Sequence, residues 1–349
     1  MLDYLVVGLG LAGTCFCEVL ERQGKSFKVL SDDSQQASVV AGGLYNPVIL
    51  KRFTLAWKAD EQMVDSLPFY TQMEEKLKVK IDHKLRVFRR FTSIEEQNLW
   101  FEAADKPKLD PFLSPKIIEH QNACIDAPFG YGEVNHTGRI DTSQLLEAYS
   151  AYLRSNDKLA SEKFDHALLK IEKDHIGYKS MKARRIIFAE GFGLKINPYF
   201  NYLPLHGTKG ELLTIHSREL RENNVIKSSV FVIPLGEDRY RIGATYKWKD
   251  KTNIPTDASK QELVEKLQSF LKCDFEVVEH VAGIRPTVTD RRPLVGAHPK
   301  HPNLYVLNGL GSRGVLLAPF AAKQLYAYSN SGVKIDEEMD IDRFKGKLV

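Results

Sequence analysis

Three glycines near the start of the chain have the spacing of a loop that binds a dinucleotide. The motif GLGLAG covers residues 8–13, follows the β-branched run Asp3–Gly8 and precedes a helix expected over Thr14–Gln23. In such a loop one glycine makes a tight turn, the second lets a pyrophosphate approach the backbone, and the third lets the helix pack on the strand. The exposed N–H groups and the helix dipole favour a diphosphate. The alternative is a glycine-rich turn that binds no ligand.

A group that holds the ribose is expected after the second strand. That strand is predicted over Ser26–Leu30, and Ser31, Asp32 and Asp33 follow it. In dinucleotide folds an acidic residue about 20 residues after the loop binds the ribose hydroxyls. Strict strand register puts this position on Ser31, one residue before the carboxylate. We expect Asp32 to make the contact, and Ser31 is the alternative.

The elements that position these groups suggest two kinds of sheet. The βαβ opening indicates a parallel sheet, and β-rich segments near the end of the chain fit the same sheet. The middle of the chain alternates like antiparallel strands. The strands predicted after the opening are Lys182–Gly191, Glu211–Ile215, Ser229–Ile233, Tyr240–Tyr246 and Asn303–Leu307. The pattern predicts an α/β fold: a Rossmann-type nucleotide-binding domain with an inserted domain built on a mixed or antiparallel sheet.

Helix limits can be predicted from capping residues and prolines. Asp141 or Thr142 is expected to cap a helix that runs to about Leu153. The pattern Ser259-x-x-Glu262 is a capping box, which predicts a helix that begins there and ends near residue 271. Residues 55–77 look helical with an interruption at residue 68, which is a proline. A further helix is expected over residues 314–328.

Composition excludes several classes of protein. A chain of 349 residues suits two domains, and four cysteines are too few for a disulfide framework. No Cys/His cluster has the spacing of a zinc site, so no metal is expected. The net charge of +4 is mild. No apolar run reaches the roughly 20 residues of a membrane span, and no signal-peptide pattern is present. A cytoplasmic location is therefore expected.

The most specific pattern lies near the end of the chain. AGIRPTVTDRRPLVG covers residues 282–296, and NLYVLNGLGSRGVLLAP covers residues 303–319. Together with GLGLAG, SVVAGGL (residues 38–44), GRID (residues 138–141) and FAEG (residues 188–191), these segments resemble the D-amino-acid oxidase superfamily of flavoproteins. The resemblance spans most of the chain. It implies FAD as the cofactor.

The resemblance also implies how the chain is divided. A glutathione-reductase-like FAD-binding domain is expected from residues 1–50, 138–200 and 281–349. Residues 51–137 and 201–280 would form the substrate domain.

The resemblance assigns site residues as well. Arg285 would bind a substrate carboxylate, with Arg313 beside it, because a guanidinium fork matches a carboxylate in two parallel hydrogen bonds. Phe231 and Tyr246 would lie near the substrate, and core packing is the alternative for both. The residues expected to contact FAD are Gly8, Gly10, Leu11, Ala12, Gly13, Ser31, Asp32, Ser38, Ala41, Gly42, Gly43, Leu44, Leu168, Gly191, Gly309, Gly311, Ser312, Arg313, Gly314, Val315 and Leu316.

The expected chemistry is hydride transfer. Related sarcosine oxidases attach FAD through a cysteine shortly after the Arg-Pro pair, and here no cysteine follows Arg285 and Pro286. The flavin should therefore be bound non-covalently. A neutral amine can pass hydride directly to flavin N5 and leave an imine that hydrolyses. No residue is therefore nominated as a catalytic acid or base.

Three functions remain open from the sequence. RGVLLAP (residues 313–319) resembles glycine oxidase, whereas AGGLYNP (residues 41–47) resembles the oxidoreductase half of a bifunctional tRNA-modifying enzyme. The favoured function is oxidation of the C–N bond of an amino acid or N-substituted glycine, with an unspecified electron acceptor. The alternatives are removal of the glycine unit from a carboxymethylaminomethyl-uridine in tRNA, and a non-catalytic flavin-binding protein. A tRNA partner could use the basic pairs Lys51-Arg52, Arg89-Arg90, Arg184-Arg185 and Arg291-Arg292 as a phosphate track.

Overall fold

A computed structural model describes residues 1–119 and 122–347. The strands are β1 (Leu2–Val7), β2 (Phe27–Ser31), β3 (Leu44–Tyr45), β4 (Val48–Ile49), β5 (Thr54–Leu55), β6 (Asp82–Lys84), β7 (Val87–Arg90), β8 (Leu113–Ile118), β9 (Tyr131–Val134), β10 (Gly138–Ile140), β11 (Leu159–Ser161), β12 (Leu169–Ile171), β13 (Ile176–Tyr178), β14 (Met181–Phe188), β15 (Thr208–His216), β16 (Val225–Lys227), β17 (Phe231–Gly236), β18 (Arg239–Gly243), β19 (Glu276–Arg285), β20 (Leu294–His298) and β21 (His301–Asn308).

The α-helices are α1 (Leu11–Arg22), α2 (Ala59–Leu77), α3 (Ile94–Ala104), α4 (Thr142–Ser155), α5 (Asp257–Gln268) and α6 (Gly314–Ser331). Short 3₁₀ segments cover His166–Leu168, Gly191–Ile196 and Ile341–Lys347. None of the helices in the described part of the chain has both the length and the apolar character needed to cross a bilayer.

The first sheet has eight strands, and its centre is parallel. β1 lies between β2 and β14, and the register pairs Val7 with Leu30 on one side and with Phe188 on the other. β13 pairs with the first half of β14, and β21 pairs in parallel with the second half. Because these parallel strands end together, the loops that follow them meet at one edge, where doubly wound sheets bind their ligands.

The second sheet also has eight strands, in the order β19-β15-β18-β17-β16-β7-β9-β8. Its side chains alternate between two faces, as the period of a strand requires. Val232 and Ile242 are buried in a cluster with Leu263 of α5. Phe231 and Ile233 point to the opposite face and line a large cavity. Helix α5 therefore packs on one face of the second sheet, and the other face of the sheet forms a wall of the cavity.

The predicted fold class is confirmed: a Rossmann-type sheet is combined with a second sheet that is mostly antiparallel. The first sheet takes its strands from residues 2–31, 159–188 and 294–308, and the second from residues 87–134 and 208–285. The expected boundary between residues 280 and 281 falls inside β19. The division into an FAD-binding and a substrate domain stays a proposal.

The capping residues confirm one predicted helix start and correct another. Asp141 caps α4 and accepts a hydrogen bond from the Gln144 N–H at 3.1 Å. The start predicted for α5 at Ser259 is wrong, because Thr256 is the N-cap and its Oγ1 accepts from the Ser259 N–H at 3.4 Å. Glu262 is paired with Lys247 instead of closing a capping box.

Helix α2 passes through Pro68, so the interruption expected there is also wrong. A proline inside a helix costs about 3 kcal/mol, because it removes one hydrogen bond and its ring crowds the preceding turn. Burial offsets this cost: Met63, Phe69, Tyr70 and Met73 of α2 lie in the core beneath the first sheet. Packing of one helix face therefore outweighs the local preference of the proline.

Tyr70 also compensates a second proline. Pro319 lies inside α6 and has no N–H, so the carbonyl of Val315, four residues earlier, lacks its usual helical donor. The buried Tyr70 hydroxyl donates to that carbonyl at 2.8 Å. The contact ties α2 to the first turn of α6.

We predict that Tyr70→Phe lowers the free energy of unfolding by about 1–3 kcal/mol, because a buried carbonyl loses its donor. Tyr149→Phe is a matched control, since the Tyr149 hydroxyl is buried and has no hydrogen-bond partner among the described residues. Urea unfolding at one fixed FAD concentration measures both. Equal losses in the two variants would contradict this account of Tyr70.

Candidate cofactor and substrate site

One cavity of 1140 Å³ lies between the two sheets. Its wall contains the glycine loop after β1, the residues after β2, the segment at residues 34–44 and the first residues of α6. Strands β15, β17, β18 and β19 of the second sheet close the other side. The volume exceeds the roughly 300–1000 Å³ of a pocket for a small ligand. The cavity therefore has room for a dinucleotide and a further small molecule.

The glycine loop has the geometry that its sequence predicts. Gly8 has a φ of +94°, which disfavours any residue with a side chain, and a Cβ on Gly13 would lie 2.0 Å from the Gly8 carbonyl oxygen. A Cβ on Gly10 would stand 3.2 Å from the Ser38 Oγ, which also accepts from the Leu11 N–H at 3.1 Å. The N-cap of α1 offers no capping side chain. The first turn of α1 therefore presents backbone and dipole to the cavity.

Most of the predicted site residues lie together. Those that line the cavity are Gly8, Gly10, Leu11, Ala12, Ser31, Asp32, Ser38, Ala41, Gly42, Gly43, Leu44, Gly191, Phe231, Arg285, Gly311, Ser312, Gly314 and Val315. They come from segments more than 300 residues apart in the chain.

Six predicted residues are not part of the cavity wall. Gly13 and Leu316 lie one layer behind it, where Gly13 contacts the Gly8 carbonyl and Leu316 is buried. Gly309 packs against Val288. Leu168 is 44% exposed. Phe164 and His166, which precede it in the chain, do line the cavity. Arg313 and Tyr246 are described below.

Both candidates for the ribose contact lie at the cavity. Ser31 is the last residue of β2, and its Oγ accepts a hydrogen bond from the Leu9 N–H at 3.2 Å. The carboxylate of Asp32 accepts from the N–H and the hydroxyl of Ser34, at 3.2 and 2.7 Å. Asp32 is exposed, so its remaining lone pairs stay accessible. We keep Asp32 as the proposed ribose ligand.

Arg285 enters the cavity from the end of β19. Its guanidinium lies on Gly210, where a Cβ would come within 2.0 Å of Nη2, so only glycine leaves space at that position. Nη1 donates to the Thr245 carbonyl at 3.3 Å, and the guanidinium is 5.7 Å from the Tyr246 ring centre. Burial lowers the pKa of Arg285 because desolvation disfavours the charged form. None of the described carboxylates forms an ion pair with it.

Arg313 is the second arginine that the sequence analysis assigned to the site, and it is half-buried. It is the N-cap of α6, and its Nη1 donates to the carbonyl of Asn46 at 2.9 Å. Burial lowers its pKa to about 10. It too has no acidic partner among the residues that the structure describes. Arg313 therefore ties α6 to the segment after β3 and lies behind the cavity wall.

Sequence reasoning missed a buried lysine beside the site. Lys227 at the end of β16 pairs with Phe231 in the neighbouring strand, and its ammonium is 4.5 Å from the Phe231 ring centre. Burial, together with the charges of Arg89 and Lys266, lowers its pKa to about 8. A lysine in an otherwise ordinary strand gives no sequence signal, because its burial depends on the neighbouring strands.

The sequence analysis also did not identify His166 and Glu190. His166 Nε2 and Glu190 Oε1 are 2.9 Å apart, and both residues line the end of the cavity near Gly191. Glu190 belongs to the FAEG segment, and its acidic type was the only available signal. No group of three or more His, Cys, Asp or Glu side chains in the described ranges could hold a metal.

Three residues of the basic pairs proposed as a phosphate track form ion pairs within the fold. Arg89 pairs with Glu96, and Arg90 is buried and pairs with Asp126. Arg292 pairs with an acidic residue near the end of the chain. These three guanidiniums already have anionic partners, so they make a poor surface for phosphates.

The residues present fit FAD. The cavity brings together two helix N-termini, those of α1 and α6, and neither N-cap residue makes a side-chain capping hydrogen bond. The N-terminus of α1 suits a diphosphate, and the N-terminus of α6 suits the electron-rich edge of a flavin. A Rossmann-type sheet with this cavity defines a dinucleotide-binding protein.

The sequence comparison identifies the family. The model of the family described as FAD dependent oxidoreductase matches residues 3–328. The chain therefore belongs to the FAD-dependent oxidoreductases of the D-amino-acid oxidase type, and FAD is its cofactor. The resemblance and the cofactor predicted from the sequence are both confirmed.

Individual relatives are distant. A glycine oxidase of Bacillus subtilis (strain 168) is 24% identical over 229 residues, which are 61% of this chain and 62% of the relative. The tRNA 5-methylaminomethyl-2-thiouridine biosynthesis bifunctional protein MnmC of Legionella pneumophila (strain Corby) is 25% identical, across 95% of this chain and 54% of the relative. The chain thus spans less than two thirds of either relative.

A solved structure supports the fold. The iminodiacetate oxidase of Chelativorans sp. BNC1 superposes with a TM-score of 0.76 at 17% identity, and the match covers 98% of each chain. At this identity the likeness shows the shared fold.

We predict that acid precipitation of the purified protein releases FAD into the supernatant, because no cysteine follows the Arg285–Pro286 pair. Chromatography and absorption of the released flavin measure this. Yellow colour that stays with the pellet would contradict non-covalent binding, and FMN in the supernatant would contradict the dinucleotide fit.

We predict that Lys227→Met raises stability at pH 7 by roughly 3 kcal/mol, the cost of lowering a lysine pKa from 10.5 to about 8. The unfolded chain binds more protons between these pH values, so wild-type stability rises with pH and the advantage of the variant fades towards pH 10.5. Lys76→Met is the control: Lys76 pairs with Glu18, and its loss should destabilise. A pH-independent gain in Lys227→Met would refute the charge explanation.

Proposed function

We propose that the protein oxidises the C–N bond of a glycine-type amine, either an amino acid or an N-substituted glycine. The observation that carries the proposal is the half-buried guanidinium of Arg285 at the cavity wall, which has no acidic partner in the described chain. A buried charge is costly unless it is paired, so an anionic ligand fits this position. The names of the relatives, glycine oxidase and iminodiacetate oxidase, support a ligand with a carboxylate close to its amine.

Arg285 would act by binding and orientation. The guanidinium fork can donate two hydrogen bonds to a carboxylate, and its contacts with Gly210 and the Thr245 carbonyl limit its rotation. With the carboxylate held, the adjacent carbon has one position relative to the flavin. Such positioning lowers the barrier because the reacting atoms are already close.

The remaining wall would exclude water. Leu44, Leu212, Phe231 and Ile233 supply an apolar lining, and an apolar surrounding strengthens the charge interactions of a ligand bound inside. FAD held in this cavity would supply the hydride acceptor, and loss of the amine proton to solvent would balance the two-electron oxidation to an imine. The first turn of α6, at Gly314, directs its N–H groups into the cavity and would stabilise negative charge there.

A tRNA-borne glycine unit is the second candidate substrate. The observation that favours it is an exposed stretch of aromatic and lysine residues that begins next to Arg285, at Tyr246. The likeness to the bifunctional tRNA-modifying protein supports the same candidate. A cytoplasmic location, which suits four free cysteines, belongs to this proposal.

We predict that Arg285→Lys slows flavin reduction at low substrate by about 10- to 150-fold with a glycine-type acid such as N-methylglycine. Lysine keeps the charge but loses the fork, and a charge-assisted hydrogen bond contributes about 1.5–3 kcal/mol. Anaerobic stopped-flow absorption of the flavin measures the rate. FAD content should be unchanged.

The decarboxylated analogue dimethylamine provides the specificity test. Arg285→Ala should lose most of its rate with N-methylglycine and little with dimethylamine, since the amine has no carboxylate to bind. Arg241→Lys is the matched control, because Arg241 lies in β18 of the same sheet and is already paired with Glu279. Equal losses with acid and amine would mean that Arg285 supports the fold or the flavin.

A further inference from the structure

The segment after β18 exposes two large aromatic side chains. Residues 246–251 read YKWKDK, and we call them the aromatic–lysine segment. Tyr246 is 45% exposed and Trp248 is 50% exposed. Their rings meet edge to face with centres 5.4 Å apart. Neither ring belongs to a core cluster among the described residues.

A buried lysine anchors this exposed segment. Lys209 of β15 is fully buried, and its ammonium binds the Asp250 carboxylate at 2.6 Å and the Ile254 carbonyl. The backbones of Lys209 and Lys247 exchange two hydrogen bonds of 2.9 Å. The pairing with Lys209 lowers the pKa of Asp250 to about 2, so the anchor stays charged at neutral pH. The aromatic rings are therefore presented by an ordered frame.

The segment starts at the mouth of the cavity. Ala244 lines the cavity, and the Thr245 carbonyl accepts a hydrogen bond from Arg285. The Tyr246 ring lies 5.7 Å from the same guanidinium. The Tyr246 ring therefore lies next to a guanidinium of the cavity wall and also reaches solvent, where it contacts Trp248.

The aromatic–lysine segment is positively charged, and only part of this charge is paired with acidic side chains of the described residues. Lys247 is paired with Glu262, and Lys251 donates to the Gly207 carbonyl at 2.7 Å. Lys249 is exposed and has no acidic partner within the described ranges. Alternating aromatic rings and lysines suit single-stranded nucleic acid, because bases stack on the rings and phosphates pair with the cations.

We propose that the aromatic–lysine segment binds the nucleotide part of an RNA that carries the glycine unit. Trp248 stacks on a base, Tyr246 lies against the modified base as it enters, and Lys249 pairs with a phosphate. The proposal rests on the proposed oxidation of an N-substituted glycine and specifies the carrier of that substrate. It assigns recognition to one side of the cavity mouth and chemistry to the inside.

The test uses the FAD-loaded protein and a fluorescein-labelled 12-residue single-stranded oligoribonucleotide. Trp248→Ala should weaken binding about 5- to 150-fold in an anisotropy titration, the range observed for loss of one stacked base. Trp248→Phe should recover part of that loss because it keeps an aromatic face. Lys249→Ala should weaken binding and make its salt dependence less steep. Lys260→Ala, an exposed lysine of α5, is the matched control and should have no effect.

A second measurement separates this proposal from the proposed function. Flavin reduction by N-methylglycine should be the same in wild type and in Trp248→Ala. If flavin reduction is normal but the RNA does not bind, the present proposal is overturned and the proposed oxidation is unaffected. The same holds if RNA binding does not depend on Trp248. Absence of reduction by any glycine-type amine, with RNA binding that depends on Trp248, overturns the oxidation alone. The proposal is also overturned if the protein binds anionic lipid vesicles through Trp248 and does not bind RNA.

Discussion

The close backbone approach at the glycine loop is the constraint on which the rest of the structure depends. The α1 helix can start directly after β1 only because Gly13 touches the Gly8 carbonyl, where a Cβ would lie 2.0 Å away. This contact sets the position of α1 on the parallel sheet and points its N-terminus at the cavity. The ends of β2 and β14 reach the same edge through their register with β1. The side of the cavity that the first sheet forms therefore depends on one contact that only glycine permits.

In the proposed function, the second sheet supplies the selectivity for the substrate. It faces the glycine loop across the cavity and supplies mostly apolar side chains, among them Phe231 and Ile233. Arg285 is the exception, since a half-buried cation with no acidic partner among the described residues lies in this apolar wall. Desolvation makes that charge costly in isolation and valuable towards a carboxylate. The two sheets thus divide the proposed work: one binds the cofactor and the other orients the substrate.

Much of the fold could be predicted because local signals agree with it. The glycine spacing, the βαβ opening and the cap at Asp141 depend on neighbours within a few residues, and the structure confirms them. One error arose where distant contacts prevailed, since helix α2 continues through Pro68 because its buried face packs on the core. The other error was local, since α5 starts at the cap that Thr256 supplies, three residues before Ser259.

The sequence by itself determined the dinucleotide loop, the α/β class and the family, because these depend on residue type at fixed spacing. Only the tertiary structure decided which side chains share the cavity. It separates Arg285, which enters the cavity, from Arg313, which binds the Asn46 carbonyl behind it. It also buries Lys209 while it exposes Trp248. The physical reason is that burial and charge pairing depend on neighbouring strands, and those neighbours are distant in the chain.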